Sequence, residues 1–193
     1  YLSSLSSKLE YGTYGHQKVS SYRMNRGSIW FALIVLIVQI FLGGWVSTNY
    51  AVLACPDFPT CMGAWYPKMD WQNAFYLWRE LGQAKSGEVI PMTALVTIHW
   101  THRVGAIVAS AVLLFLAITA LRRGNPSIAF WGKAIIALLA LQIVTGVSNV
   151  VFQWPLFAAL LHTGGAAAIL FCLIRLSAWS DCSFFSGKQN DRL

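Results

Sequence analysis

Three histidines, His99, His102 and His162, lie inside long apolar stretches, and Arg103 directly follows the second of them. Ionisable groups in a membrane-spanning stretch are costly and usually face a bundle interior, where they have partners. From His102 the helical face continues through Gly105, Ala106 and Ala109, at i+3, i+4 and i+7. From His162 it continues through Gly165 and Ala166, with Gly164 and Ala167 alongside. Each imidazole is thus followed by a strip without bulky side chains. Two readings fit. Neutral imidazoles on facing helices are suitable axial ligands for haem iron, and the small residues let the helices stand back from a flat macrocycle. Small residues also let helices pack closely, with the histidines as hydrogen-bonded packing residues. Matched depth in two helices favours haem. A zinc or copper site lacks an evident third ligand beyond His99. His16, in a polar tail, receives no role.

The elements that must carry these residues are membrane spans. Of 193 residues, 56% are hydrophobic and 11% charged, and mean hydropathy is +0.55. An ordinary soluble domain has roughly 25% charged residues, so a soluble fold and a disordered chain are both excluded. The net charge of +7 and pI near 9.5 do not indicate nucleic acid, because the charges sit at the ends of apolar runs. A span needs about 20 apolar residues. Four are expected, over 28–49, 92–121, 128–152 and 155–179, with Gln153-Trp154-Pro155 breaking the last two apart. The expected fold is therefore all-α: a polytopic four-helix transmembrane bundle with tails at 1–27 and 180–193 and a long loop at 50–91. Sequence begins at Tyr1, as expected of a processed chain, an excised piece or an incomplete sequence. Lys8, Lys18, Arg23 and Arg26 lie in the first tail, and Arg122 and Arg123 join spans two and three. The positive-inside rule then places both termini in the cytoplasm and loop 50–91 outside.

That loop holds Cys55 and Cys61 within Cys55-Pro56-Asp57-Phe58-Pro59-Thr60-Cys61. Outside the cytoplasm a disulfide is preferred over two free thiols or an incomplete metal site. Cys172 and Cys182 read as ordinary thiols. Asp70 can cap a short interfacial helix whose Trp71, Ala74, Phe75 and Trp78 share a stripe, either a surface anchor or a lid. Arg103, near the outer edge of its span, can snorkel to the interface and pair with a haem propionate or a lipid headgroup. Trp45, Trp65, Trp100 and Trp154 fall at the same boundary as belt residues.

The chain also carries an internal echo. Gln39-Ile40-Phe41-Leu42-Gly43 in span one matches Gln142-Ile143-Val144-Thr145-Gly146 in span three, and spans two and four each carry a histidine about two turns in. Two copies of a helix hairpin would produce this pattern.

Gly43-Gly44-Trp45-Val46-Ser47-Thr48-Asn49, Ala54-Cys55-Pro56-Asp57-Phe58-Pro59-Thr60-Cys61, Ile98-His99-Trp100-Thr101-His102-Arg103 and Leu161-His162-Thr163 together resemble haem A synthase, over about residues 28–179. The resemblance implies an eight-helix membrane enzyme of two similar halves, of which this chain looks like the C-terminal one. It implies oxidation of the haem O methyl to the formyl of haem A, for cytochrome oxidase assembly. It also implies haem b as cofactor, held by His102 and His162. The loop cysteines, Cys55 and Cys61, resemble the family's. The implied setting is a bacterial-type inner membrane. The implied partners are haem O, the lipid bilayer, the missing N-terminal half or a second copy of the chain, and haem O synthase or cytochrome oxidase assembly factors. A small b-type cytochrome or quinol-linked subunit is the alternative.

The chain departs from the family at one place. The substrate half carries Glu three residues before the histidine of its His-Arg motif; here that position is His99, and the four spans contain no Asp or Glu. A carboxylate there suits proton handling during methyl oxidation better than an imidazole does. His99 is the catalytic candidate, and the expectation is that this chain alone binds haem without oxidising it.

Overall fold

The computed structural model describes residues 24–78, 80, 82–84 and 86–188, and of 179–188 only the backbone. Most of the basic first tail, with His16, lies outside the described residues, as do Arg79 and Lys85. Four long helices carry the chain: α1 (Arg26–Thr48), α3 (Met92–Leu121), α4 (Pro126–Val151) and α5 (Leu156–Lys188). A single-turn helix, α2 (Trp71–Ala74), lies in the loop between α1 and α3. Each long helix is long and apolar enough to cross a membrane, α5 over Leu156–Ala178. Among the described residues there are only isolated β-bridges and no strands.

Local chemistry sets the ends. Asn25 caps α1 by accepting from the Gly27 amide at 2.9 Å. Asn125 caps α4 by accepting from Ser127 and Ile128, with Pro126 at the first helical position, where its missing N–H costs nothing. The turn between α4 and α5 is closed by the Trp154 amide donating to the Asn149 carbonyl at 2.8 Å.

The helices form a four-cornered bundle. α1 and α4 each pack against both α3 and α5, whereas α3 and α5 face each other across a diagonal. Among the described residues no Cα of α3 comes within 8 Å of a Cα of α5. At the tail end, Ile29, Leu36, Leu116, Ile135, Ile169 and Leu173 fill the interior. Large apolar side chains cover the outside: Phe41 is 74% exposed, Ile107 71% and Phe157 74%. In water such a surface would drive association; in a bilayer it faces its solvent.

The loop folds onto one end of the bundle. Val52, Ala74 and Ile90 pack on Val46, Ala94 and Ile98, with Trp45, Phe75 and Trp154 against them. The helix expected through Trp78 stops at Ala74. Asp70 does cap it, accepting from the Asn73 amide at 3.1 Å. The Ala74 carbonyl, which a second turn would need for Trp78, instead accepts from the Trp45 indole at 2.9 Å. Trp78 is left 87% exposed.

Candidate functional site

His102 lies on α3 and His162 on α5, the two helices of one diagonal. Each ring is seated by the helix before its own in the chain's paired order. His102 lies against Gly43 of α1, where a Cβ would stand 3.2 Å from its Cε1. His162 lies against Gly146 of α4, where a Cβ would stand 3.1 Å from its Cε1. The echo seen in the sequence is therefore a repeated contact. Gln39 fills the notch left by Gly105, and Gln142 fills the one left by Gly165; a Cβ at either glycine would collide with the amide. These two glycines seat glutamines between helices, so part of the small-residue strip serves close packing.

The ring nitrogens are held differently. His102 Nδ1 lies 3.0 Å from Gln39 Nε2, which also donates to the His102 carbonyl at 3.1 Å. His162 Nδ1 lies 3.0 Å from the Thr145 hydroxyl, which is 2.7 Å from the Leu141 carbonyl. Both contacts are made through Nδ1.

Arg103, one residue beyond His102, turns to the loop. Its Nη1 donates to the carbonyls of Asp57 at 2.9 Å and Thr60 at 2.8 Å, and its Nη2 to that of Cys55 at 2.7 Å. Its Nε donates to His99 Nε2 at 3.3 Å, and the guanidinium stands 5.9 Å from the Phe58 ring centroid. Cys55 and Cys61 are joined as a disulfide, with Cα atoms 4.7 Å apart. Asp57 completes this small ring. Its carboxylate accepts from the Thr60 hydroxyl and from the amides of Met62 at 2.7 Å and Gly63 at 3.0 Å. The Thr60 bond first, then the Gly63 amide, hold its pKa down at about 2 against an ordinary 3.8. His99 is 4% exposed, and its Nε2 accepts from Arg103.

Residues 3–174 match the family described as COX15-CtaA, cytochrome oxidase assembly protein. The chain belongs to this family. The haem A synthase of Shewanella oneidensis is 40% identical to it over 148 residues, covering 76% of this chain and 44% of that protein. The haem A synthase of Methylobacterium radiotolerans is 32% identical over 137 residues, covering 71% and 35%. That of Halalkalibacterium halodurans is 30% identical over 125 residues, covering 64% and 34%. The chain spans less than half the length of these curated relatives. No solved structure matches it.

In this COX15-CtaA member the donor set fits a haem better than a bare metal ion. Among the described residues no three His, Cys, Asp or Glu side chains converge as a metal cage. Two imidazoles from opposed helices are what a haem needs, because the macrocycle supplies the remaining ligands. The glycines at 43 and 146 leave room for the two rings against α1 and α4, and Gln39 Oε1 is buried beside Gly105 with no partner among the described residues.

In the sequence Gln39 and Gln142 stand out only as a repeat, without a task. Thr145 received none either, since its histidine lies 17 residues away on another helix. Arg103, expected to pair with a propionate or a headgroup, directs four N–H groups to the loop and His99. Trp45 and Trp100, expected as belt residues, donate their indole N–H groups to the carbonyls of Ala74 and Trp65, each at 2.9 Å.

Proposed function

We propose that this chain is the haem b-binding half of a haem A synthase, the enzyme that oxidises the methyl group of haem O to the formyl group of haem A. The observation that carries the reading is the pairing of His102 and His162. They lie on diagonal helices, each seated on a glycine and each engaged through Nδ1. In this reading His102 and His162 would hold the haem between α3 and α5. Bound there, haem b supplies a carrier for electrons withdrawn from the methyl carbon.

The chain's own residues have separable tasks. Gly43 and Gly146 let the rings approach the neighbouring helices. Thr145 positions the His162 ring, and Gln39 contacts the His102 ring at the same atom, Nδ1. Arg103 fixes the Cys55–Cys61 loop over the loop end of the bundle, and this cover limits water there. Arg122 and Arg123, between α3 and α4, face the cytoplasm in this reading, and the disulfide loop faces outward across a bacterial inner membrane. Haem O and the N-terminal half are the partners the reading requires. Withdrawing hydrogen from a methyl group needs a base and a path for protons, and the four spans hold no carboxylate. His99, buried beside Arg103, is the one catalytic candidate in this chain, and the other half is the expected home of the oxidation itself.

The test is optical. Chain purified from membranes should carry a low-spin haem spectrum. His102→Ala and His162→Ala should each remove or strongly alter it while the protein still inserts. Wild-type spectra from both variants would sink the ligand assignment.

A further inference from the structure

The two histidines are matched in place but not in the hydrogen bond made to Nδ1. Thr145 has one hydroxyl proton. The Leu141 carbonyl, 2.7 Å away, can only accept, so the proton belongs to that bond. Were the hydroxyl turned to the ring instead, two bare acceptor oxygens would meet at that distance. The Thr145 oxygen therefore accepts from His162 Nδ1–H at 3.0 Å. A neutral imidazole protonated at Nδ1 has its lone pair at Nε2.

At His102 the bond runs the other way. Gln39 Nε2 donates to the His102 carbonyl and lies 3.0 Å from Nδ1. An amide nitrogen has no lone pair to offer, so Nδ1 is the acceptor and the ring proton sits on Nε2. Turning the amide over would give Nδ1–H an acceptor. It would also set Oε1 against the His102 carbonyl oxygen, where Nε2 now donates. Gln39 Oε1, at the other end of the amide, is buried beside Gly105 with no partner among the described residues.

We propose that Thr145 and Gln39 are positioning residues of opposite sign: Thr145 holds His162 ready to ligate through Nε2, whereas Gln39 holds His102 in the tautomer that does not. His162 is then the anchored axial ligand and His102 the exchangeable one. This rests on the haem reading above and adds an order between its two ligands. A partner on the far ring nitrogen typically changes metal affinity by about 10- to 100-fold, which is large enough to measure.

The experiment uses the full chain loaded with haem b, with visible spectra, haem affinity, reduction potential and carbon monoxide uptake by the reduced form as readouts. Thr145→Val keeps the shape and removes the acceptor. It should weaken haem binding by about tenfold and raise the potential, and Thr145→Ser should restore both. Gln39→Met keeps an unbranched chain in the Gly105 notch. It should leave haem binding equal to or tighter than wild type and slow carbon monoxide uptake, because His102 no longer has to break a bond to ligate. Equal losses in Thr145→Val and Gln39→Met, or a Thr145→Val protein identical to wild type, would overturn the proposal while leaving the haem reading intact. A wild-type chain that takes up no haem would overturn both.

Discussion

The guanidinium of Arg103 donates to the carbonyl of Cys55 at 2.7 Å, which ties the residue next to His102 to the first cysteine of the disulfide. Two further carbonyls, of Asp57 and Thr60, share the same fork. Lysine has three N–H donors on one nitrogen and cannot reproduce the four bonds that Nε, Nη1 and Nη2 make from separate positions. Arg103→Lys should therefore loosen residues 55–61, at a cost of about 2 kcal/mol. Faster amide hydrogen exchange across that loop is the measurement. Unchanged exchange would show that the disulfide alone holds it.

Asp57 gives the loop a pH dependence with a definite sign. Its pKa is depressed from 3.8 to about 2 by the Thr60 hydroxyl and the Gly63 and Met62 amides. A depressed pKa means that the folded loop favours the carboxylate. The stabilisation is complete above the ordinary value and is lost as pH falls from about 4 through about 2. Limited proteolysis of the loop should accelerate across that window. Asp57→Asn should make the loop labile at neutral pH and remove the step.

Gly43 and Gly44 are adjacent, yet they differ sharply in what a methyl group would meet. At Gly43 it would press on the His102 ring at 3.2 Å; at Gly44 it meets nothing within 4 Å. Gly43→Ala, and likewise Gly146→Ala beside His162, should displace a ring by a few tenths of an ångström, alter the haem spectrum and weaken binding several-fold. Gly44→Ala should leave the spectrum unchanged. A spectral change of equal size at Gly44 would point to a general helix effect.

The chain expressed alone should bind haem b and should not make haem A. Protein incubated with haem O and a coupled oxidant, followed by pigment extraction, is the check. Sustained haem A production by residues 1–193 would overturn this and make His99 the first residue to replace.

Much of this was legible before any coordinates. Four apolar runs bounded by Arg26, Pro91, Arg122 and Pro155 leave little choice of architecture, because hydropathy reports directly on solvent. His102 and His162 stood out because imidazoles are rare in such runs. Their partners did not, because Gln39 and His102 are 63 residues apart and a linear pattern carries no distance. The same limit applies to Arg103, whose acceptors are backbone carbonyls, a group every residue has. The stripe from Trp71 to Trp78 overstated its helix because propensity cannot foresee that an indole from α1 would take the Ala74 carbonyl.

The duplicated hairpin ends its likeness at one level. Within the bundle, Gln39, Gly43, His102 and Gly105 have counterparts in Gln142, Gly146, His162 and Gly165. Toward the loop, His99 and Arg103 correspond by the same offset to Ala159 and Thr163. A symmetric cradle would hold a flat guest equally well after a half-turn. Here the approximate dyad is broken at the loop end by one base and one cation, so the cradle has a front and a back.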